Sequence, residues 1–295
     1  MKYELCKNVM TDDKKRKGFD ALIKQTFKLS FEKWYQNGEW GDWNQPYTLY
    51  DGEKAIANIT VNHMKVLYKD KIRDYIQLGG VVTDPEYRGQ GLSRLLMKEV
   101  QNDWKNKCDA MFLMANKRVT EFYPKFGFVE ESQYRCIWKN EKDLEVHNRD
   151  LTVRKLDLSQ KEDKEILLRC YEKRNPFSKF QFIDNSSLLQ FYCYYGMDAC
   201  MYYLKEEDAV VVAEYDQDKI LCYDIYYKGN KSLLQIMAHL WNEGISEIDF
   251  LFTPIDKQGL QEQKYFDEDT HLFVLSGKEN VFSCDKLYVP DISHT

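Results

Sequence analysis

Gly80-Val81-Val82-Thr83-Asp84-Pro85-Glu86-Tyr87-Arg88-Gly89-Gln90-Gly91-Leu92-Ser93 runs from an apolar strand, past a proline stop, into a glycine-bearing turn that opens a helix. The strand is expected over 75–82. The helix repeats apolar residues at Leu92, Leu95, Leu96, Val100 and Trp104, close to the 3.6-residue period of one helical face. Gly89 and Gly91 carry no Cβ, so the backbone can turn tightly there and present several N–H groups to an anion. The positive end of the helix dipole adds to that field, and Arg88 supplies a fixed cation. These are the parts of a pyrophosphate cradle. Two glycines in a strand-to-helix turn also serve plain turn chemistry, and these residues alone leave both readings open.

Arg88-Gly89-Gln90-Gly91-Leu92-Ser93 resembles the (Gln/Arg)-x-x-G-x-(Gly/Ala) acyl-CoA signature of the GNAT superfamily of N-acetyltransferases, with Ser93 in place of the small last residue and Val-x-x-Pro ahead of it. Further on, Glu121-Phe122-Tyr123-Pro124-Lys125-Phe126-Gly127-Phe128 resembles the second motif of that family, a tyrosine-bearing short helix ending in Gly-Phe. The resemblance implies acetyl-CoA as acyl donor. It implies that Gly80, Val81 and Val82 pair their backbone with the pantetheine arm as an added strand, with one N–H polarising the thioester carbonyl. Arg88, Gly89, Gln90, Gly91, Leu92 and Ser93 would then hold the pyrophosphate, and Asn116 would meet the pantetheine from the end of the next strand, unless it is only a strand-end turn residue. Tyr123 is implied as general acid to the leaving thiolate, its ordinary pKa near ~10 making that donation feasible; an aromatic anchor is the other reading.

Composition fits a folded globular enzyme: 43% of the residues are hydrophobic and 31% charged, in a chain of 295 residues, enough for two domains. Apolar runs such as 209–213 are far too short to span a membrane, and no signal-peptide core follows Met1, so a cytosolic protein is expected. The 8 cysteines form no C-x-x-C pair and the 5 histidines are scattered, which implies neither disulfides nor a metal. A net charge of -6 argues against nucleic acid and favours a cationic substrate.

The chain reads as an α/β (mixed α+β) protein of two similar halves, each a mixed, mostly antiparallel sheet flanked by helices. The first half orders a strand at 3–9, a helix at 20–34, strands at 47–50, 55–68 and 75–82, the glycine-loop helix, a strand at 110–115, the Tyr123 helix and a closing strand at 134–139. A charged stretch at 140–150 divides it from the second half, so that 1–145 is expected to be a catalytic domain and 146–295 a degenerate copy. The copy would place strands at 151–156, 201–204, 209–214, 220–227 and 245–252, and helices at 161–171 and 232–242. Its turn at Tyr227-Lys228-Gly229-Asn230-Lys231 has no Arg-x-x-G, so acyl-CoA binding is expected only in the first half. Tandem halves with one live site resemble the enhanced-intracellular-survival type acetyltransferases. Those carry a third, sterol-carrier-like lobe, for which 295 residues leave no room.

A lysine-like amine has a pKa near ~10.4, so its nucleophilic form needs a proton acceptor, and Gln77 on the expected strand cannot be one. In the tandem relatives the terminal carboxylate reaches the site, which implies Thr295 here. Trp34, Glu39 and Trp40, within Trp34-Tyr35-Gln36-Asn37-Gly38-Glu39-Trp40, are expected to hold a cationic amine through ring faces and a carboxylate, or else to plug a loop onto the core. The expected activity is acetyl transfer to a primary amine of a small molecule or peptide. The alternative from another class is a non-catalytic acyl-CoA-binding regulatory protein.

Overall fold

The computed structural model describes residues 2–139 and 153–295. The first half consists of β1 (Glu4–Cys6), α1 (Asp13–Phe27), α2 (Glu32–Gln36), β2 (Asn44–Asp51), β3 (Lys54–Tyr68), β4 (Lys71–Thr83), α3 (Leu92–Trp104), β5 (Ala110–Asn116), β6 (Phe128–Glu131) and β7 (Gln133–Lys139). The second contains β8 (Val153–Lys155), α4 (Lys161–Tyr171), β9 (Phe180–Ile183), α5 (Ser186–Cys193), β10 (Met201–Leu204), β11 (Ala209–Asp216), β12 (Lys219–Tyr226), α6 (Leu233–Met237), β13 (Glu247–Phe250), β14 (Gln261–Tyr265) and β15 (Thr270–Leu275). The helix expected over 20–34 is two helices. It starts earlier, where the Asp12 carboxylate caps the amides of Lys14 and Lys15, and it breaks at Lys28, whose φ is +61°. The corner is held by Asp20, which accepts from Phe31 N at 2.6 Å.

Two sheets result, ordered β1-β2-β3-β4-β5-β15-β6 and β14-β7-β13-β12-β11-β10-β8, with β9 pairing the far end of β3. The halves exchange a strand. β7 leaves the first sheet to sit between β13 and β14, and β15 comes back from the second half to sit between β5 and β6. The expected closing strand of the first half therefore completes the other sheet, and a division at 145/146 does not separate two closed sheets; that boundary, like part of the expected strand 151–156, lies outside the described residues. Side chains explain the exchange. Leu272, Phe273, Val274 and Leu275 of β15 are all buried, as a central strand covered on both faces requires. Phe273 and Leu275 join the core under α3, while Trp138 of β7 joins the core of the second half.

α3 lays Leu92, Leu96, Met97 and Val100 on the first sheet. Burying each contributes about 1.5–3 kcal/mol, which anchors the helix and with it the glycine turn at its start. α1 covers the opposite face with Phe19, Leu22 and Ile23. Among the described residues no helix is long and apolar enough to cross a membrane.

Candidate functional site

The site begins where β4 parts from β5. Their parallel pairing covers Tyr75–Leu78 against Ala110–Leu113 and stops there. Two residues later Gly80 has φ +53°, a left-handed conformation that side chains resist, and the register against β3 shifts between Asn58 and Thr60. Asn58 fixes this bulge by donating from Nδ2 to Gly80 O at 2.9 Å. Beyond it, the 81–83 backbone has no β5 partner and faces an open cleft.

The cleft has a volume of about 680 Å³ and is lined by Val81, Val82, Arg88, Gly89, Gly91, Leu92, Ser93 and Tyr123, all expected site residues. Asp84 accepts from Glu86 N at 2.9 Å to set the turn, Arg88 Nε reaches Thr83 O at 3.3 Å, and Gly91 (φ +76°) is the N-cap of α3. The first N–H groups of α3 have no intrahelical acceptor, so they are donors facing the cleft. Ser93 spends its hydroxyl on Thr83 Oγ1 at 2.7 Å, tying the strand end to the helix start. Sequence reasoning missed Arg94 and Arg118, exposed guanidiniums lining the cleft, and Thr26 and Phe27 at the end of α1. Arg94 follows Gly91 by three residues and was open to view; the α1 residues arrive only through the fold. A long polyanionic ligand with a narrow thiol-bearing arm fits this donor set and this unpaired strand edge.

Three expected cofactor residues stand elsewhere. Gln90 accepts from the Tyr3 hydroxyl at 3.0 Å, and Gly80 lines the neighbouring pocket. Asn116 uses its side-chain oxygen to accept from Arg118 N at 3.1 Å, the turn role that its strand-end position also allowed.

Tyr123 begins a short 3-10 turn that Gly127 ends at φ +86°. Its ring packs between Phe122, Phe128 and Phe273, the last from the exchanged strand β15, and only 4% of the residue is exposed. Burial pushes its pKa up to about 12, so the hydroxyl is protonated at neutral pH.

A second pocket, of about 260 Å³, adjoins the cleft across Gly80 and Val81, and Phe27 lines both. Thr295 is in it. The last residue of the sequence lies against Gly79 so closely that a Cβ there would stand 2.6 Å from the Thr295 carbonyl oxygen. Asn62 Nδ2 donates to Thr295 Oγ1 at 2.7 Å, Asn44 Nδ2 donates to Asn62 Oδ1 at 2.6 Å, and Trp40 Nε1 donates to Asn44 Oδ1 at 2.9 Å. Residues of both halves hold the segment in place. The Tyr192 hydroxyl lies 2.7 Å from His294 O and 2.9 Å from Asp291 O, and Arg135 Nη2 donates to Tyr288 at 2.6 Å. Gln77, beside Asn62 on β4, is fully buried.

The aromatic segment divides its labour. Trp34 lines the pocket, while Trp40 lies behind it, stacked on Trp34 with centroids 5.7 Å apart and 7° between planes. Glu39 does not line the pocket. It accepts from Lys164 Nζ at 2.6 Å and from the Tyr194 hydroxyl, joining the halves. The carboxylate expected to hold a cation is thus neutralised by a lysine 125 residues away.

The second half fills the place where its own phosphate turn would be. The Tyr227 hydroxyl accepts from Lys231 N at 3.0 Å, and a Cβ on Gly229 would lie 2.2 Å from that oxygen. Ser232 and Gln235 close a capping box at the start of α6, so N–H groups an anion would need are already paired. Among the described residues no group of three or more His, Cys, Asp or Glu is placed to hold a metal.

Residues 44–130, from β2 into β6, match the Acetyltransferase (GNAT) domain family. No curated protein matches the chain. Among solved structures, a probable N-acyltransferase from Enterococcus faecalis V583 superposes with a TM-score of 0.61 at 15% identity, covering 93% of this chain and 72% of that one. Eis1 from Mycobacterium abscessus gives 0.57 at 9% identity over 92% and 73%, and a GCN5-related N-acetyltransferase from Kribbella flavida 0.57 at 14% over 92% and 70%. At such identities the likeness is one of fold, and it extends over both halves.

Proposed function

We propose that this chain, whose residues 44–130 match the Acetyltransferase (GNAT) domain family and whose two halves share the fold of tandem acetyltransferases, transfers the acetyl group of acetyl-CoA to a primary amine by direct attack on the thioester. The amine nitrogen forms a bond to the carbonyl carbon as the carbon–sulfur bond breaks. The proton lost by nitrogen goes to the α-carboxylate of Thr295, and the departing thiolate takes one from Tyr123. The 81–83 backbone edge binds the pantetheine arm and offers an N–H to the developing oxyanion, while Arg88 and the start of α3 hold the phosphates.

The observation that carries the reading is proximity: Thr295 lies on Gly79 in the second pocket, which shares Phe27 with the Tyr123 cleft and meets it where Gly80 is followed by Val81. A carboxylate has an ordinary pKa near ~4 and so is ionised and ready to accept at neutral pH. Extending the chain by one glycine turns that carboxylate into an amide carbonyl. Thiol release from acetyl-CoA should then fall by about 10²-fold in kcat while acetyl-CoA affinity holds, because only the proton acceptor is lost. Unchanged turnover would remove Thr295 from the mechanism.

A further inference from the structure

From the chemistry of the second pocket we infer that the acceptor is a monoamine borne on a compact apolar group, of the arylalkylamine class, rather than a polyamine or an aminoglycoside; this rests on the acetyltransferase reading above. The walls are Phe31, Trp34 and Trp43 from the first half and Leu188 and Phe191 from α5 of the second. Among the described lining residues none has a charged side chain. Glu39, the carboxylate expected among these rings, is engaged with Lys164 and Tyr194, and neither Glu32 nor Asp42 lines the pocket.

The polar floor has little left to offer. Asn44 accepts from Trp40 and donates to Asn62, and Asn62 donates to Thr295 and to Gln77 O at 3.2 Å. A second ammonium would enter with no side-chain counter-charge, and a ring of hydroxyls would find a single unpartnered donor among the lining side chains named here, Trp43 Nε1, so most of the water lost would go unreplaced. One amine suffers no such loss, because its single charge can stand beside Thr295 and Gly80, on the side of the pocket that adjoins the cleft.

Size narrows the class. A dry apolar cavity of about 150 Å³ accepts benzene, and this pocket holds about 260 Å³. One aromatic ring with a short alkyl arm fills it. A three-ring aminoglycoside does not fit, nor does an extended peptide beyond its first side chain.

The test measures thiol release from acetyl-CoA with 2-phenylethylamine, tryptamine, spermidine, 1,4-diaminobutane and kanamycin. The expected kcat/KM for the arylalkylamines exceeds that for the polyamines by about 10²-fold or more, the discrimination of a buried site against an unpaired polar group. Leu29→Glu, which puts a carboxylate on a partly exposed pocket residue, is expected to lower the 2-phenylethylamine value and raise that of 1,4-diaminobutane, each by about tenfold. Equal or better turnover of the polyamines overturns the inference and leaves the acetyltransferase standing. A preference for hexanoyl-CoA over acetyl-CoA also overturns it, since the apolar pocket would then serve the donor. Should no amine release thiol while acetyl-CoA still binds, the acetyltransferase reading fails, and calorimetric titration of 2-phenylethylamine into the CoA complex decides the inference alone: absence of binding overturns it.

Discussion

Gly79→Ala isolates the contact on which the proposed base depends. Gly79 lies outside the left-handed region, so alanine meets no backbone strain there, and the obstacle to a methyl group is Thr295. The new Cβ would lie 2.6 Å from the Thr295 carbonyl oxygen and 2.7 Å from its carbon, against 3.4 Å for the short end of ordinary contact. The strand is held by β3 at Gly79 and by β5 up to Leu78, whereas Thr295 is exposed, so the segment carrying Thr295 gives way by close to 1 Å. Misplacement of a reacting group by about 1 Å costs on the order of 10² in rate, or about 2.7 kcal/mol of barrier. Steady-state thiol release should therefore show kcat down by about 10–10²-fold, with the KM for acetyl-CoA within about twofold. The methyl group also enters the acceptor pocket, so the decisive comparison is a cycle with deletion of Thr295. If the methyl acts through the tail, the double variant is no worse than the deletion alone. Additive losses, or a Gly79→Ala enzyme within about threefold of wild type, would refute the placement of the carboxylate.

Three further outcomes follow from the geometry. Gly91→Glu puts a carboxylate and a Cβ at a φ of +76° in the phosphate turn, and titration calorimetry should show acetyl-CoA binding lost from a wild-type stoichiometry of one; a wild-type value of two would mean that Tyr227 does not seal the second half. Tyr123→Phe keeps the packing against Phe122, Phe128 and Phe273 but removes the proton, so kcat should drop by about 10²-fold with Tm nearly unchanged, and near wild-type kcat would leave the ring as a core anchor. Asp224 is partly buried, its Oδ1 accepting from Asn175 Nδ2 and the Ile225 amide, and desolvation raises its pKa from 3.8 to about 6. Its contribution to stability is whole below pH 3.8 and is lost as pH rises through about 6. Urea melts at intervals from pH 4 to 7 should show wild type losing about 3 kcal/mol relative to Asp224→Asn across that window, and a constant difference would refute the shift.

What the sequence revealed was local. The turn at 84–91 is spelled by one proline, two glycines and an aspartate whose side chain bonds its own neighbours, so the glycine loop and α3 were legible without any distant partner. The same holds for Tyr123, which Pro124 and Gly127 fix within five residues. What was hidden depends on partners far along the chain. Glu39 reads as a carboxylate among rings until Lys164 takes it, and Asn116 reads equally as ligand or cap. The strand exchange is the extreme case. A short apolar strand carries no mark of which sheet it enters, so Thr270–Leu275 suits either place, and the choice is made by packing of Phe273 and Leu275 under α3.

That exchange changes what the second half is for. A spent copy of the first domain would be dispensable, yet β15 supplies the strand between β5 and β6, and Phe273 on it packs against Tyr123. Leu188 and Phe191 close the second pocket, and Tyr192 holds the segment that ends at Thr295. In return β7 fills the gap between β13 and β14. Cutting the chain between the halves would leave each sheet interrupted at the same point, with β5 and β13 exposed as unpaired edges rather than two self-sufficient domains. Loss of the phosphate turn in the second half therefore did not free that half from the chemistry: the proposed base, part of the acceptor pocket and the packing of the proposed acid all come from it.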